Sequence, residues 1–307
     1  MYNKVWVLGS SNVDITYKIK SMPRAGATIQ AESCITATGG KGANQAVAAA
    51  HWGSDVSMIG AVANDSNGKL LLDTLINKGI NTEHVAIVPG SSSGNAVIMV
   101  DDQGANCIIV SPGANQYVPL CKDIGFYKGD FLVAQFEVNM DAVEYYFRIA
   151  KNTGVITVLN PSPFQEISDE LLGLTDIVVA NEEEASEIAR IQVDGKEAAK
   201  LCGKQIVKKG PKTVVITLGK RGAVAITCDK ALYFTGHSVK VTDTQGAGDA
   251  FLGTLIAKLS QGIRLEDAVS FSNMISAVCV TKKGSTQVSI TQINEINLLK
   301  PCIFVVI

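Results

Sequence analysis

The sequence predicts an α/β fold: a doubly wound, mainly parallel sheet with helices on both faces, plus a small antiparallel β lid. Three features point there. Short apolar runs alternate with amphipathic helical patterns, those runs are apolar at consecutive positions, and two stretches interrupt the alternation. Strands that are continuously apolar belong to a parallel sheet covered on both faces.

The strands expected in chain order are Val5–Leu8, Val56–Val62, Phe131–Phe136, Val155–Leu159, Ile177–Ala180 and Val214–Leu218. Between them, Ala43–Trp52, Gly68–Lys78, Asp141–Asn152, Ala198–Lys208 and Ala247–Leu259 carry apolar residues at helical spacing. His237–Val241 also reads as a strand, leading into the last of these helices. The first interruption, Asp14–Thr38, alternates polar and apolar residues without a helix. The second, Asn95–Ser111, reads as a hairpin about Asp101-Asp102-Gln103-Gly104, with strands Ala96–Val100 and Cys107–Val110. These strands have no helices beside them. They are expected to project as a lid, from about 14–38 and 95–111, out of one domain spanning 1–307. One face of such a sheet needs a cover, so a lid over ligand and a homodimer through the lid are both expected.

Composition narrows the function. Hydrophobic residues are 47% of the 307, enough for a buried core, and a chain of this length suits one large domain with a small appendage. The 27 basic and 29 acidic residues leave a net charge of −2, without the electrostatic footprint of a nucleic-acid binder. A small-molecule partner is expected instead. The seven cysteines (34, 107, 121, 202, 228, 279 and 302) form no C-x-x-C pair and are odd in number, which speaks for reduced thiols over zinc or a disulfide framework. The N-terminus enters a strand-like run directly, without the regions of a signal peptide. No apolar run approaches the roughly 18–20 residues of a membrane span. A soluble, cytoplasmic protein is expected, with no membrane partner.

Three motifs carry chemistry. Asp243-Thr244-Gln245-Gly246-Ala247-Gly248-Asp249-Ala250-Phe251 opens a helix. Gly246, Ala247 and Gly248 are small enough for an anion to approach backbone N–H groups at the positive end of the helix. Asp249, in the first turn, can reach a hydroxyl that attacks a γ-phosphorus, and phosphoryl transfer needs this pairing of base and anion cradle. The plainer alternative is a strand–helix turn with a helix-start carboxylate. Gly39-Gly40-Lys41-Gly42-Ala43-Asn44-Gln45-Ala46 is a glycine-rich helix entry that fits neither G-x-x-x-x-G-K-[ST] nor G-x-G-x-x-G. It offers Lys41 and Asn44 to a ligand, or forms a turn with a solvated lysine. Gly9-Ser10-Ser11-Asn12-Val13-Asp14 follows the first strand, where an open α/β sheet places its ligands. Asn12 and Asp14 fall on one side and suit a polyol, though both are also ordinary turn formers.

The Gly39–Ala46 and Asp243–Phe251 motifs together resemble the two signatures of the ribokinase, or pfkB-type, carbohydrate kinase family. Gly113-Ala114-Asn115, Gln135-Phe136-Glu137, Asn160-Pro161-Ser162-Pro163, Asn181-Glu182-Glu183-Glu184 and Thr217–Gly222 extend the resemblance in order, to about residue 290. It implies a ribokinase-like fold and ATP-dependent phosphorylation of a small sugar at its primary hydroxyl, D-ribose to D-ribose 5-phosphate first. Deoxyribose, fructose, a sugar acid or a nucleoside are the alternative substrates, and a non-catalytic sugar sensor the other class. By resemblance, Asn12, Asp14, Gly40, Lys41, Asn44 and Glu137 bind sugar. Asp249 is the base, and Gly246, Ala247 and Gly248 form the anion hole. Asn181, Thr217, Gly219, Gly222 and Asn273 bind nucleotide, with Ser272 near the adenine. Glu184 is tied to Mg²⁺ through water, and Asp243, Gln245, Cys279 and Gly284 hold a monovalent cation, K⁺, largely through carbonyls.

Other residues have plainer expectations. Glu182, Glu183, Lys220 and Arg221 are expected to be solvated, and His51, His84 and His237 have no assigned role. Met99 packs on the lid while Ala96 and Ile98 on its other face can touch the sugar; Asn95 stands where an apolar residue is ordinary. The segment Ser285-Thr286-Gln287-Val288-Ser289 departs from the family pattern, and the apolar tail 300–307 has no role assigned.

Overall fold

The computed structural model describes residues 2–282 and 304–307. Strand β1 (Val5–Leu8) is followed by the lid strands β2 (Asn12–Lys18) and β3 (Ser33–Gly39). Helix α1 (Lys41–His51), strand β4 (Val56–Ala63), helix α2 (Ser66–Asn77) and strand β5 (Asn81–Val88) return the chain to the main sheet. The lid resumes with β6 (Gly94–Val100) and β7 (Asn106–Ser111). Then come β8 (Phe131–Ala134), α3 (Met140–Thr153), β9 (Ile156–Leu159), α4 (Asp169–Leu174), β10 (Ile177–Asn181), α5 (Glu182–Ala189), α6 (Lys196–Val207) and β11 (Thr213–Thr217). Strands β12 (Gly222–Thr227) and β13 (Ala231–Thr235), helices α7 (Ala247–Ser260) and α8 (Leu265–Cys279) and strand β14 (Phe304–Val306) complete the described chain.

The main sheet runs β14-β13-β12-β11-β10-β9-β8-β1-β4-β5. It is parallel from β11 to β5 and antiparallel at the β12, β13 and β14 edge. Its strands are buried on both faces because successive side chains point to opposite helix layers. Val5 and Val7 of β1 enter the layer with α1, α7 and α8, while Trp6 and Leu8 enter the layer with α3. Farther along, α5 and α6 cover β10, β11 and β12. The expected mainly parallel, two-faced architecture is present.

Strand pairing corrects one expectation and gives a role to a segment that had none. His237–Val241 alternates like a strand but is not one; the strand is Ala231–Thr235, which pairs with β12 across a tight hairpin. Gly236 then bonds to the Arg221 carbonyl and the chain leaves the sheet, so the alternation beyond it has no ladder to join. The tail left without a role supplies β14, which pairs antiparallel with β13 and sets Phe304 against Phe234 with ring centroids 5.7 Å apart.

The second sheet runs β3-β2-β6-β7 and forms the lid. Its outer pairs are antiparallel and its central β2–β6 pair parallel. Strands β2 and β6 follow β1 and β5, which are parallel, so both leave the main sheet at the same end and run outward side by side.

Two close approaches seat α1. A Cβ on Gly42 would stand 2.6 Å from the backbone of Gly9 and Ser10, and one on Gly253 of α7 would stand 2.5 Å from both the Ala48 Cβ and the Gln45 carbonyl. Only glycine permits the helix start to lie against the end of β1 and the two helices to lie against each other. Gly42→Ala is expected to push α1 off β1 and lower stability by about 1–3 kcal/mol. Denaturant unfolding checks this, and an unchanged midpoint would contradict the contact.

Candidate active site

The carboxyl ends of the parallel strands and the N-terminal ends of α1 and α7 meet at one edge of the main sheet. The Ala43 N–H donates to the Ser10 carbonyl at 2.8 Å, tying the start of α1 to the turn after β1. At the start of α7, Gly246 takes a left-handed φ of 74°, a conformation glycine adopts readily. A Cβ built on Gly248 meets nothing within 4 Å, so this helix entry faces open space. The N–H groups of a helix's first turn lack intrahelical acceptors, and here they lie beside that space.

Asp249 is 8% exposed at this point. Its Oδ1 accepts from Gln45 Nε2 at 2.9 Å and its Oδ2 from Asn44 Nδ2 at 3.1 Å. Burial raises its carboxyl above the ordinary range, Lys41 and the two amide donors oppose that shift, and Glu137 adds to it. Asp14 on β2 is pushed up to about 6, first by burial, then by the charges of Glu137 and Asp249. Glu137 accepts from the Ser10 hydroxyl and, at 3.1 Å, from the Lys41 N–H. The Asn12 side chain, 4% exposed, is set by Asn115, whose Nδ2 donates to Asn12 Oδ1 at 2.8 Å. Gly40 is the N-cap residue of α1 and packs on Asn12 and Ser10. The structure therefore brings Asn12, Asp14, Gly40, Lys41, Asn44, Glu137 and Asp249 together in one place.

Lid register decides which residues share the face of Asp14. Asp14 pairs with Ala96, and Thr16 with Ile98, so Ala96 and Ile98 share the Asp14 face and are buried. Asn95 pairs with Val13 on the opposite face. The lid position where an apolar residue is ordinary thus lies on the face opposite Asp14.

A cavity of about 250 Å³ adjoins Asp249 and is lined by Lys41, Asn181, Glu184, Thr217, Gly248 and Asp249 among others. A second of about 350 Å³ shares Asn181, Thr217 and Gly248 with it and adds Gly219, Gly222 and Asn273. A third of about 610 Å³ continues past Gly219 and Asn273 to His237 and Val241. The five residues expected to bind nucleotide thus line connected space leading away from Asp249. Ser272 does not join them; it is buried and bonds back to the Ala268 carbonyl, and Ser276, one turn on, lines the cavity instead. Arg221, expected to be solvated, pairs with Glu182 and donates to the Asp194 carbonyl at 2.6 Å, bracing the turn beside this space.

Glu184 is 6% exposed and forms a capping box with Asn181: its carboxylate accepts from the Asn181 N–H at 2.9 Å while its N–H donates to Asn181 Oδ1 at 2.8 Å. Burial raises its carboxyl, against the bonds from Asn181 and Ser162 and the charge of Lys41. The Asp243 segment is laid against the end of α8, since the Thr242 and Asp243 N–H groups share the Val280 carbonyl at 2.7 and 3.2 Å. Asp243 Oδ1 accepts from the Gln245 N–H at 2.9 Å, and Cys279 is buried nearby in chain. Gly284 lies outside the described residues.

The profile of pfkB family carbohydrate kinases matches residues 3–292. The chain belongs to that family. It is 37% identical to the ribokinase of Staphylococcus aureus (strain COL) over 97% of this chain and 99% of that one. It is 34% identical to the deoxyribokinase of Salmonella typhi over 94% and 97%. The structure of Arabidopsis thaliana ribokinase complexed with ribose and ATP superposes with a TM-score of 0.89 at 27% identity, covering 98% of this chain and 100% of that one. The ribokinase-like fold is the one expected from the sequence. Residues assigned no role of their own also build this region: Ser10 donates to Glu137 and Gln45 to Asp249, Asn115 sets Asn12, and Gln135 and Asn160 bond to Gln45. Their amides and hydroxyl lie within motif strings, but partners 90 or more positions away are invisible there.

The Asp14 carboxyl is expected to be half-protonated at about pH 6. Glu137→Gln should lower that midpoint while leaving it above the ordinary 3.8, since burial, the larger cause, remains. A site-resolved carbon NMR titration checks this, and a midpoint at 3.8 in the unaltered protein would contradict the cluster.

Proposed function

We propose that this chain transfers the γ-phosphoryl group of ATP to the primary hydroxyl of a small sugar, with D-ribose to D-ribose 5-phosphate as the reaction. The observation that carries the proposal is a buried carboxylate, Asp249, at the open start of α7, beside a cavity that leads into nucleotide-sized space. The 37% identity to a ribokinase over nearly both whole chains supports ribose as the sugar.

In this reading Asn12, Asp14, Gly40, Lys41, Asn44 and Glu137 hold the sugar hydroxyls. Asp249 takes the proton of the attacking hydroxyl as its oxygen reaches phosphorus in line. A base whose pKa is raised towards the working pH accepts that proton more readily while still being ionised. The N–H groups at Gly246, Ala247 and Gly248, with Lys41, stabilise charge on the transferred group. Asn181, Thr217, Gly219, Gly222 and Asn273 hold the nucleotide. The buried Glu184 carboxylate at the cavity wall suits a water-mediated hold on Mg²⁺, which arrives with ATP and neutralises phosphate charge. The turn drawn against α8 suits carbonyl ligation of K⁺ by Asp243, Gln245 and Cys279. Lid closure keeps water from the transferring phosphoryl group.

The lid's outer strands expose Ile35 (63%), Ile108 (52%), Ile109 (59%) and Val110 (50%). Uncovered apolar strands of this kind support a homodimer formed lid to lid. Among the described residues no helix is long and apolar enough to cross a membrane and no disulfide forms; the cytoplasm is the compartment proposed.

A coupled ADP-release assay with ATP, Mg²⁺ and K⁺ is expected to show selective turnover of ribose over deoxyribose, fructose, a keto-deoxy sugar acid and nucleosides. Preference for another sugar would move the assignment to that sugar, and no turnover with sugar still bound would favour a sensor. Asp249→Ala should lower kcat by about 10²–10⁴-fold while calorimetry still detects sugar binding; unaltered turnover would remove Asp249 from the base role. Sedimentation at micromolar concentration should give a dimer, and a monomer alone would rule out the lid contact.

A further inference from the structure

Asp249 is held in place by amides buried behind it. Gln45 is 1% exposed and Gln135 is 0% exposed. Gln45 Nε2 donates to Asp249 Oδ1 at 2.9 Å and to Asn160 Oδ1 at 3.2 Å, and Gln45 Oε1 accepts from Gln135 Nε2 at 2.6 Å. Asn160 Nδ2 in turn donates to the Val179 carbonyl at 3.0 Å.

This chain of bonds has one direction. A backbone carbonyl only accepts, so Val179 turns the Asn160 oxygen towards Gln45. That oxygen requires a donor, so Gln45 presents its NH₂ on the side where Asp249 lies. Gln135 completes the arrangement from the far end by donating to the only acceptor Gln45 has left. Its own Oε1 is buried without a hydrogen-bond partner among the described residues. Buried acceptors are rarely left so, and here the donor end of Gln135 is committed to orienting Gln45.

We infer that Gln45, oriented by Gln135 and Asn160, is the positioning residue for Asp249: it engages Oδ1 permanently and turns Oδ2 towards the sugar hydroxyl. This rests on Asp249 being the base. The donor on Oδ2, Asn44, is half-buried and lies at the mouth of the site, where a substrate hydroxyl can take its place. The donor on Oδ1 is inside the α1–α7 contact, where no substrate reaches. Gln45 also favours the ionised carboxylate against burial. The charged groups around Asp249 are Lys41 on α1, which favours ionisation, Glu137 after β8 and Asp14 on β2, whose negative charges oppose it, and Glu184 on α5, which lines the same cavity.

The sign of the pH effect follows. A base works only when ionised, so rate is lost as pH falls through its pKa. Removing a donor to the carboxylate raises that pKa and moves the acidic limb of the rate profile upward. Gln45→Leu should lower kcat at neutral pH by about 10- to 100-fold, with partial recovery at higher pH. The KM values for sugar and ATP should stay within about twofold, because the lost interaction acts on the reacting group. Gln135→Met, which leaves the Gln45–Asp249 contact but frees the Gln45 amide to turn, should shift kcat and the limb in the same direction by less. A folded Gln45→Leu protein with unchanged kcat and acidic limb would overturn the inference. So would a loss shared between kcat and KM with the limb unmoved, which marks packing alone. Should Gln45→Leu not fold, Gln135→Met decides by the same two readouts. Asp249→Asn separates the two claims. If it keeps turnover, the base assignment fails; if it is inactive while both glutamine variants keep the native profile, only the positioning role fails.

Discussion

The site exists because the first turns of α1 and α7 lie against each other and against the end of β1. Gly42 meets Gly9, Gly253 meets Ala48 and the Gln45 carbonyl, and no larger residue leaves room for either contact. That proximity brings the glycine-rich entry after the lid within hydrogen-bonding distance of a carboxylate some 204 positions later. The other residues of the proposed site are arranged about this contact: Asn12 and Asp14 at the start of β2, Gly40, Lys41 and Asn44 at the start of α1, Glu137 after β8, Gly246 to Gly248 at the start of α7, and Asn181, Thr217, Gly219, Gly222 and Asn273 at the ends of β10 and β11, around the turn into β12 and on α8.

Packing of this kind concentrates charge. Asp14, Glu137 and Asp249 share one end of the sheet with Lys41 as the one nearby cation among the described residues, and burial makes their mutual repulsion harder to screen. The structure answers with hydrogen-bond donors more than with opposite charge. Ser10 and the Lys41 N–H serve Glu137, and Asn44 and Gln45 serve Asp249. Burial still keeps the Asp249 and Asp14 carboxyls above the ordinary range, which on the proposed reading suits groups that accept a proton and hold hydroxyls.

The lid belongs to the same economy of position. Its strands leave the main sheet at the end where the site lies, so Asp14 is both a lid residue and a site residue. The face carrying Asp14, Ala96 and Ile98 turns inward, and the outer strands keep apolar side chains uncovered.

Much of this was legible in the chain itself. Continuous apolar strands alternating with amphipathic helices determined a parallel, two-faced sheet, because burial on both sides demands that pattern. The two interruptions marked the lid, because strands without helices cannot lie inside such a sheet. Small residues before Asp249 marked a helix start open to an anion. Tertiary structure alone decided the rest. Whether His237–Val241 pairs depended on which neighbouring strand had ladder positions left, and whether Phe304–Val306 had a role depended on an edge some 70 residues earlier in the chain. Asn95 and Ser272 turned away from ligand space because register and helix phase, which no single residue states, set their direction. Gln45, Gln135 and Asn160 look like ordinary amides in sequence. Only folding shows that they form one directional chain of bonds ending on Asp249, since hydrogen-bond orientation is a property of partners brought together from distant segments.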